Sequence, residues 1–108
     1  MRRKRFETWD IMVQRDVRVP MRDGITLSAD VYRPRTEVKV PAIVVRTPYG
    51  KTGDEIDKTA RFFASHGYGV VYMDVRGRGD SDGEFVPYRN EGRDGYDSIE
   101  WAAAQPWC

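Results

Sequence analysis

Tyr49 stands at the end of an apolar run in "AIVVRTPYGK", between Pro48 and Gly50. A phenol is a hydrogen-bond donor on a stiff stem; Pro48 restricts the backbone before it, and Gly50 lets the chain turn sharply after it. Such a donor can stabilise an oxyanion if a nucleophile lies within reach, or it can pack. On these local features alone, packing is the simpler role. "MDVRGRGDSDGEF", residues 73–85, brings glycines at 77, 79 and 83. The spacing G-x-G-x-x-x-G misses the dinucleotide fingerprint by one residue, and no helix start follows Phe85, which argues against a nicotinamide oxidoreductase. Asp80, Asp82 and Glu84 faintly resemble a calcium loop, but the rest of the twelve-residue pattern is missing. The simpler reading is a tight surface loop in which Arg76 and Arg78 pair with nearby acids.

His66 is the single histidine. It falls at the C-terminal end of a predicted helix, where an imidazole meets the last carbonyls and the helix dipole, and no pattern places a serine or cysteine beside it. Asp94, Asp97 and Glu100 recur on one face of a second predicted helix. Two carboxylates make an acid/base pair only across a cleft with split environments, so a structural role near the helix N-terminus is preferred. Cys108 is the single cysteine, which excludes an internal disulfide and leaves a zinc site without partners.

The elements that must carry these groups follow from periodicity. From 17 to 31, Val17, Val19 and Met21, then Ile25, Leu27, Ala29 and Val31, alternate with polar residues. Asp23-Gly24 joins the two runs, which predicts an antiparallel hairpin with one buried face. "AIVV" (with its strand set at 42–46) and "YGVVYMDV" (strand 68–74) are continuous apolar runs, as in strands buried on both faces of a parallel sheet. Between them, Ile56, Ala60, Phe63 and Ala64 fall at helical spacing, with Asp54 as N-cap and Gly67 at C′. This is a βαβ unit, with a right-handed crossover expected. A second helix is predicted from about Glu91 to Ala104, capped by Asn90, with Tyr96, Ile99 and Ala103 as its inner stripe and Pro106 ending it. The fold class is therefore α/β: an antiparallel hairpin leading into a βαβ unit is the opening of a mixed, mostly parallel sheet with helices on both faces.

The 108 residues suffice for one small domain. With 32% charged residues, 40% apolar residues and a net charge of +1, the composition is that of an ordinary soluble protein, and no global field recruits nucleic acid or a membrane surface. The four basic residues of "MRRKRF" are taken as a solvated arm. No apolar core of ~7–15 residues follows them, as a secretory signal requires, and cysteine usage and the lack of a spanning segment point to a reduced, cytoplasmic protein. Residues 1–16 form the arm and lead-in, and 17–108 the domain. No cofactor and no metal are called for.

"VPMRDGITLSADVYRP", "VVRTPYGK", "GYGVVYMDVRGRGDSDGEF" and "NEGRDGYDSIEWAAAQPWC" together resemble successive motifs of the cocaine esterase / X-Pro dipeptidyl-peptidase group of serine hydrolases. They occur in order from about Val17 to Cys108. The resemblance implies the N-terminal portion of an α/β-hydrolase fold, truncated before the nucleophile strand, and cleavage of ester or amide bonds in small substrates, peptides included, by a Ser-His-Asp triad. It implies that Tyr49 supplies a hydroxyl to the oxyanion hole. Ser28, Ser65, Ser81 and Ser98 do not sit in a nucleophile elbow, and His66 comes too early in chain order, so the triad is expected outside this chain and the chain alone is expected to be inactive. The strand at 42–46 is then a sheet edge, which leaves a rival reading: a non-catalytic module that binds partners by adding a strand there. The same edge allows a homo-oligomer.

Overall fold

A computed structural model describes residues 8–85 and 91–108. The basic arm at 1–5 and the cap expected at Asn90 lie outside them. Four strands, β1 (Ile11–Pro20), β2 (Thr26–Pro34), β3 (Ala42–Thr47) and β4 (Gly69–Asp74), form one sheet in the order β1-β2-β4-β3. β1–β2 and β2–β4 pair antiparallel, and β3–β4 pair parallel. α1 (Asp54–Ser65) connects β3 to β4, and α2 (Glu91–Ala103) follows the loop after β4. The hairpin and the βαβ unit are thus where alternation and apolar runs put them.

Each face of the sheet has its own core. Val19, Met21, Leu27, Ala29, Val31, Val71 and Met73 pack with Ala102 of α2 on one side, while Tyr32 and Val70 pack with Ala60 and Ala64 of α1 on the other. Helices on both faces explain the first departure from expectation. β2 is buried on both sides, its polar positions Ser28 and Asp30 as completely as Leu27 and Ala29. Alternation predicted one buried face, but β2 is an inner strand between β1 and β4, and its polar positions face α1 with hydrogen-bonded partners that make burial tolerable. β3, expected to be buried on both faces, is half-buried along its length because it is an edge strand.

β1 starts at Ile11, and the alternating run from Val17 is its second half. Between Gln14, paired with Val31, and Val17, paired with Ala29, Arg15 and Asp16 oppose the single residue Asp30. This is a β-bulge, with Asp16 at φ 51. It breaks the period of two and hides the first half of the strand from the pattern. The hairpin closes through Gly24 N–H to Met21 O (3.0 Å) and Met21 N–H to Ile25 O (2.8 Å).

α1 ends as Gly67 predicted. Tyr68 N–H donates to Phe63 O and Gly67 N–H to Ala64 O, while the Tyr68 and Phe63 rings meet edge-on at 6.1 Å; this is a Schellman stop with its apolar contact. Asp54, however, is the first helical residue. Gly53 holds the N-cap at φ 144, a conformation that favours glycine, with no side-chain capping bond. The acid acts through the helix dipole together with Glu55 and Asp57.

α2 corrects the expected inner stripe. Tyr96 and Ile99 are largely exposed, Ala103 is exposed, and the buried positions are Asp94, Ser98 and Ala102. A charge decides the rotation of the helix. The Asp94 carboxylate takes Nε and Nη2 of the buried Arg76 at 2.9 Å each, a bidentate pair across the α2 side of the sheet. Asp94 is therefore not the exposed, dipole-facing residue predicted. Asp97 is held by Arg22 at 2.8 Å in a more open setting.

Two outcomes follow for stability. Asp94→Ala leaves the buried Arg76 only its more exposed partner Asp23 and is expected to cost about 3 kcal/mol, whereas Asp97→Ala, at a more open pair, costs at most about 1 kcal/mol, both read from urea midpoints; equal effects would contradict this packing. Asp57, Asp23 and Asp97 are all held below the ordinary carboxylate value, by Arg61, Arg76 and Arg22 respectively. Depressed folded-state values stabilise the fold above the ordinary value, so denaturation midpoints measured from pH 6 downward should hold to about pH 4 and then decline.

Candidate functional site

Both parallel strands end at the same rim, where ligands gather in open α/β sheets. β3 ends at Thr47, and Val75 N–H continues the ladder to Thr47 O at 3.0 Å. Thr47 Oγ1 accepts the Tyr49 N–H at 3.0 Å, a short side-chain turn that starts the next loop. The Tyr49 side chain stands clear of the protein, with the residue 93% exposed, so packing, the simpler local role, is not what the ring does in this chain. Gly50, at φ 101, makes the sharp turn.

The next residue turns back inside. Lys51 is 3% exposed, and its ammonium lies 3.2 Å from Asp30 Oδ1 and 3.1 Å from Asp80 Oδ2. Burial works against the charged lysine, but its bonds to Asp80 and Asp30 win and its pKa is raised. Asp30 is fully buried and also accepts Arg15 Nη1 at 2.8 Å and the bulge N–H of Asp16 at 3.1 Å. Arg15 continues to Tyr32 and to Asp57 of α1. Neither Lys51 nor Asp30 was singled out from sequence. The available signals were a lone lysine between Gly50 and Gly53, and an aspartate inside a strand.

The loop 75–85 forms the other wall. A Cβ on Gly77 would come within 2.1 Å of the Phe85 backbone nitrogen, and one on Gly79 within 2.2 Å of the Asp74 carboxylate. Both glycines lie at positive φ, so they serve close backbone approach and turning, not a dinucleotide. Asp74 Oδ2 accepts the Asp80 N–H, and Ser81 Oγ bridges Asp74 O and the Ser28 N–H. Arg76 pairs with acids as expected, but they are Asp94 and Asp23 from other elements, and Arg76 is buried instead of lying on the surface. Arg78 lies over the Phe85 ring at 4.0 Å. Asp80 and Asp82 are engaged with Lys51 and Thr26. Among the described residues no group of three acids, histidines or cysteines could hold a metal ion, and no helix is long and apolar enough to cross a membrane.

The remaining candidates stand apart from the rim. α1 starts there and runs away over 12 residues, about 18 Å, so His66 at its end is on the opposite edge. Its Nδ1 lies 2.7 Å from Phe62 O, and Ser65 Oγ, 3.2 Å away, donates to the same carbonyl. The Ser28 and Ser98 hydroxyls donate to Asp16 and to Asp94 O. None of the four serines makes a nucleophile with a base. Asp94 and Asp97 each face an arginine and form no acid/base pair. At the end of β3, Arg46 Nη1 donates to Glu91 of α2, while its buried Nε and Nη2 have no partner among the described residues.

Residues 23–108 match the X-Pro dipeptidyl-peptidase (S15) family. The chain is 41% identical over 100 residues to cocaine esterase from Rhodococcus sp. (strain MB1 Bresler), a match covering 89% of this chain and 17% of that one. Its fold superposes on a CocE/NonD family hydrolase from Staphylococcus aureus with TM-score 0.79 and 29% identity, covering 90% of this chain and 21% of the other. It also superposes on an α-amino acid ester hydrolase with TM-score 0.73 and 25% identity, covering 92% and 20%. The chain thus spans about a fifth of the length of these proteins. The hairpin, the βαβ unit and the glycine loop behind an exposed tyrosine are the N-terminal portion of an α/β-hydrolase fold, and the chain belongs to the X-Pro dipeptidyl-peptidase (S15) family.

Proposed function

We propose that this chain is the N-terminal section of a serine acyl hydrolase acting on small ester or amide substrates, and that Tyr49 donates the side-chain hydrogen bond of its oxyanion hole. In the reaction, a serine hydroxyl supplied by polypeptide outside these 108 residues attacks the substrate carbonyl while a histidine takes its proton. The carbonyl oxygen becomes an oxyanion, and the Tyr49 O–H, with a backbone N–H beside the serine, holds it as charge develops.

The observation that carries the reading is the exposure of Tyr49, at 93%, on a loop that turns back inside two residues later to bind Lys51 to Asp30 and Asp80. A phenol left in water at the carboxyl rim has its donor free for a reacting atom. Its loop follows β3, the edge strand, so another part of the hydrolase can be laid beside it. The family membership supports the class of reaction, and the absence of a nucleophile elbow from residues 1–108 accounts for placing the triad elsewhere.

In the full-length hydrolase, Tyr49→Phe should lower kcat by ~10²–10³, the usual cost of losing one oxyanion donor, with KM little changed. Unchanged turnover refutes the role. Residues 1–108 alone should hydrolyse no activated ester above the rate of buffer.

A further inference from the structure

Tyr49 is presented by a short loop, 48–53, with glycines at 50 and 53, both at positive φ. Beyond the Tyr49 N–H itself, what fixes this loop is a side chain two residues further on. The Lys51 ammonium is buried between a carboxylate of β2, Asp30, and one of the loop after β4, Asp80. Two residues of backbone span at most ~7 Å, so an anchor at Lys51 limits where the Tyr49 Cα can go. Asp30 is itself immobilised by Arg15 and the bulge amide of Asp16, so the anchor connects to the interior of the sheet and to α1.

We propose that Lys51 is a positioning residue for the oxyanion donor: its clamp between Asp30 and Asp80 holds the Tyr49 hydroxyl at the distance at which an oxyanion can use it. This inference rests on the reading of Tyr49 given above. It adds that the donor's placement depends on a cluster of three charged groups centred on a buried lysine, joining β2, the loop after β3 and the loop after β4. Lys51 touches no substrate. A displacement of about 1 Å at a reacting group can cost ~10²-fold in rate, so the clamp has a measurable function even though Tyr49 keeps its hydroxyl without it.

The test is a set of variants of the full-length hydrolase assayed on a small activated ester. Lys51→Met is expected to lower kcat about 10- to 100-fold with KM changed little, and Lys51→Arg to restore part of the loss. Asp80→Asn, at a more exposed position, should lower kcat less while leaving the Asp30 pair in place; it decides the matter if Lys51→Met does not fold. The decisive arm repeats each substitution in the Tyr49→Phe background. If the clamp acts through the phenol, the added loss disappears there. An unchanged kcat for both clamp variants, or the same fold-loss in both backgrounds, overturns the positioning role while Tyr49 stands. A silent Tyr49→Phe overturns the oxyanion reading itself, and this inference with it.

Discussion

The Asp30 carboxylate is fully buried in the middle of an inner strand, and a charge there persists only if donors surround it. Arg15, Lys51 and the Asp16 amide are those donors, and they come from two constraints on the chain, the bulge in β1 and the turn at Gly50. Asp16 reaches Asp30 because the strand bulges; without the extra residue its N–H would continue the ladder to β2. Arg15 reaches it from the same bulge and then spans to Asp57, fastening α1 over the sheet. Lys51 reaches it because Gly50 turns the chain inward at the carboxyl rim. Buried charge, bulge, helix placement and rim loop are thus one mutually dependent arrangement.

The opposite face answers with a second charged anchor of different purpose. Arg76 leaves β4's end and inserts between the hairpin turn at Asp23 and the first turns of α2 at Asp94. Its bidentate geometry towards Asp94 fixes the rotation of α2, which puts small residues, Ser98 and Ala102, against the strands. Small residues let the helix approach closely, and the buried Ser98 hydroxyl is satisfied by donating to Asp94 O. Between the two anchors lies the glycine loop, too tight at Gly77 and Gly79 to admit any side chain.

Sequence reading succeeded where one physical term dominated. Alternation gave the hairpin, because Val19, Leu27 and Ala29 share an apolar face whose burial outweighs other terms. Unbroken apolar runs gave β3 and β4, and the Schellman glycine gave the end of α1. It failed where buried charge overrides the hydrophobic period. Asp30 and Asp94 look like solvent positions until Arg15, Lys51 and Arg76 are known to reach them across 15 to 21 residues of sequence, and pattern has no access to such distances. Tyr96 and Ile99 look like core for the complementary reason: an apolar residue on a helix carries no mark of which side the ion pair will claim. The bulge at Arg15 erased the first half of β1 in the same way, by shifting the period. Tyr49 is a separate case, because its exposed place at the rim follows from the end of β3 but its proposed role came from resemblance, not from spacing.

Exposed Ile99 of α2 and the edge strand belong to one surface. Ala42 and Val44 of β3 and Ile99, Ala103 and Cys108 line a shallow apolar groove, beside a strand with a free hydrogen-bonding edge. Arg46, at the rim end of that strand, keeps two buried N–H groups without partners among the described residues. A free edge, an apolar groove and unsatisfied donors are each unfavourable in water, and each is relieved by adding a strand and its covering segment beside β3. Under the proposed function, that neighbour would be the strand leading to the nucleophile. The proposed mechanism would then need no separate device to bring serine and phenol together, because a strand added at this edge would also lie alongside the loop that carries Tyr49.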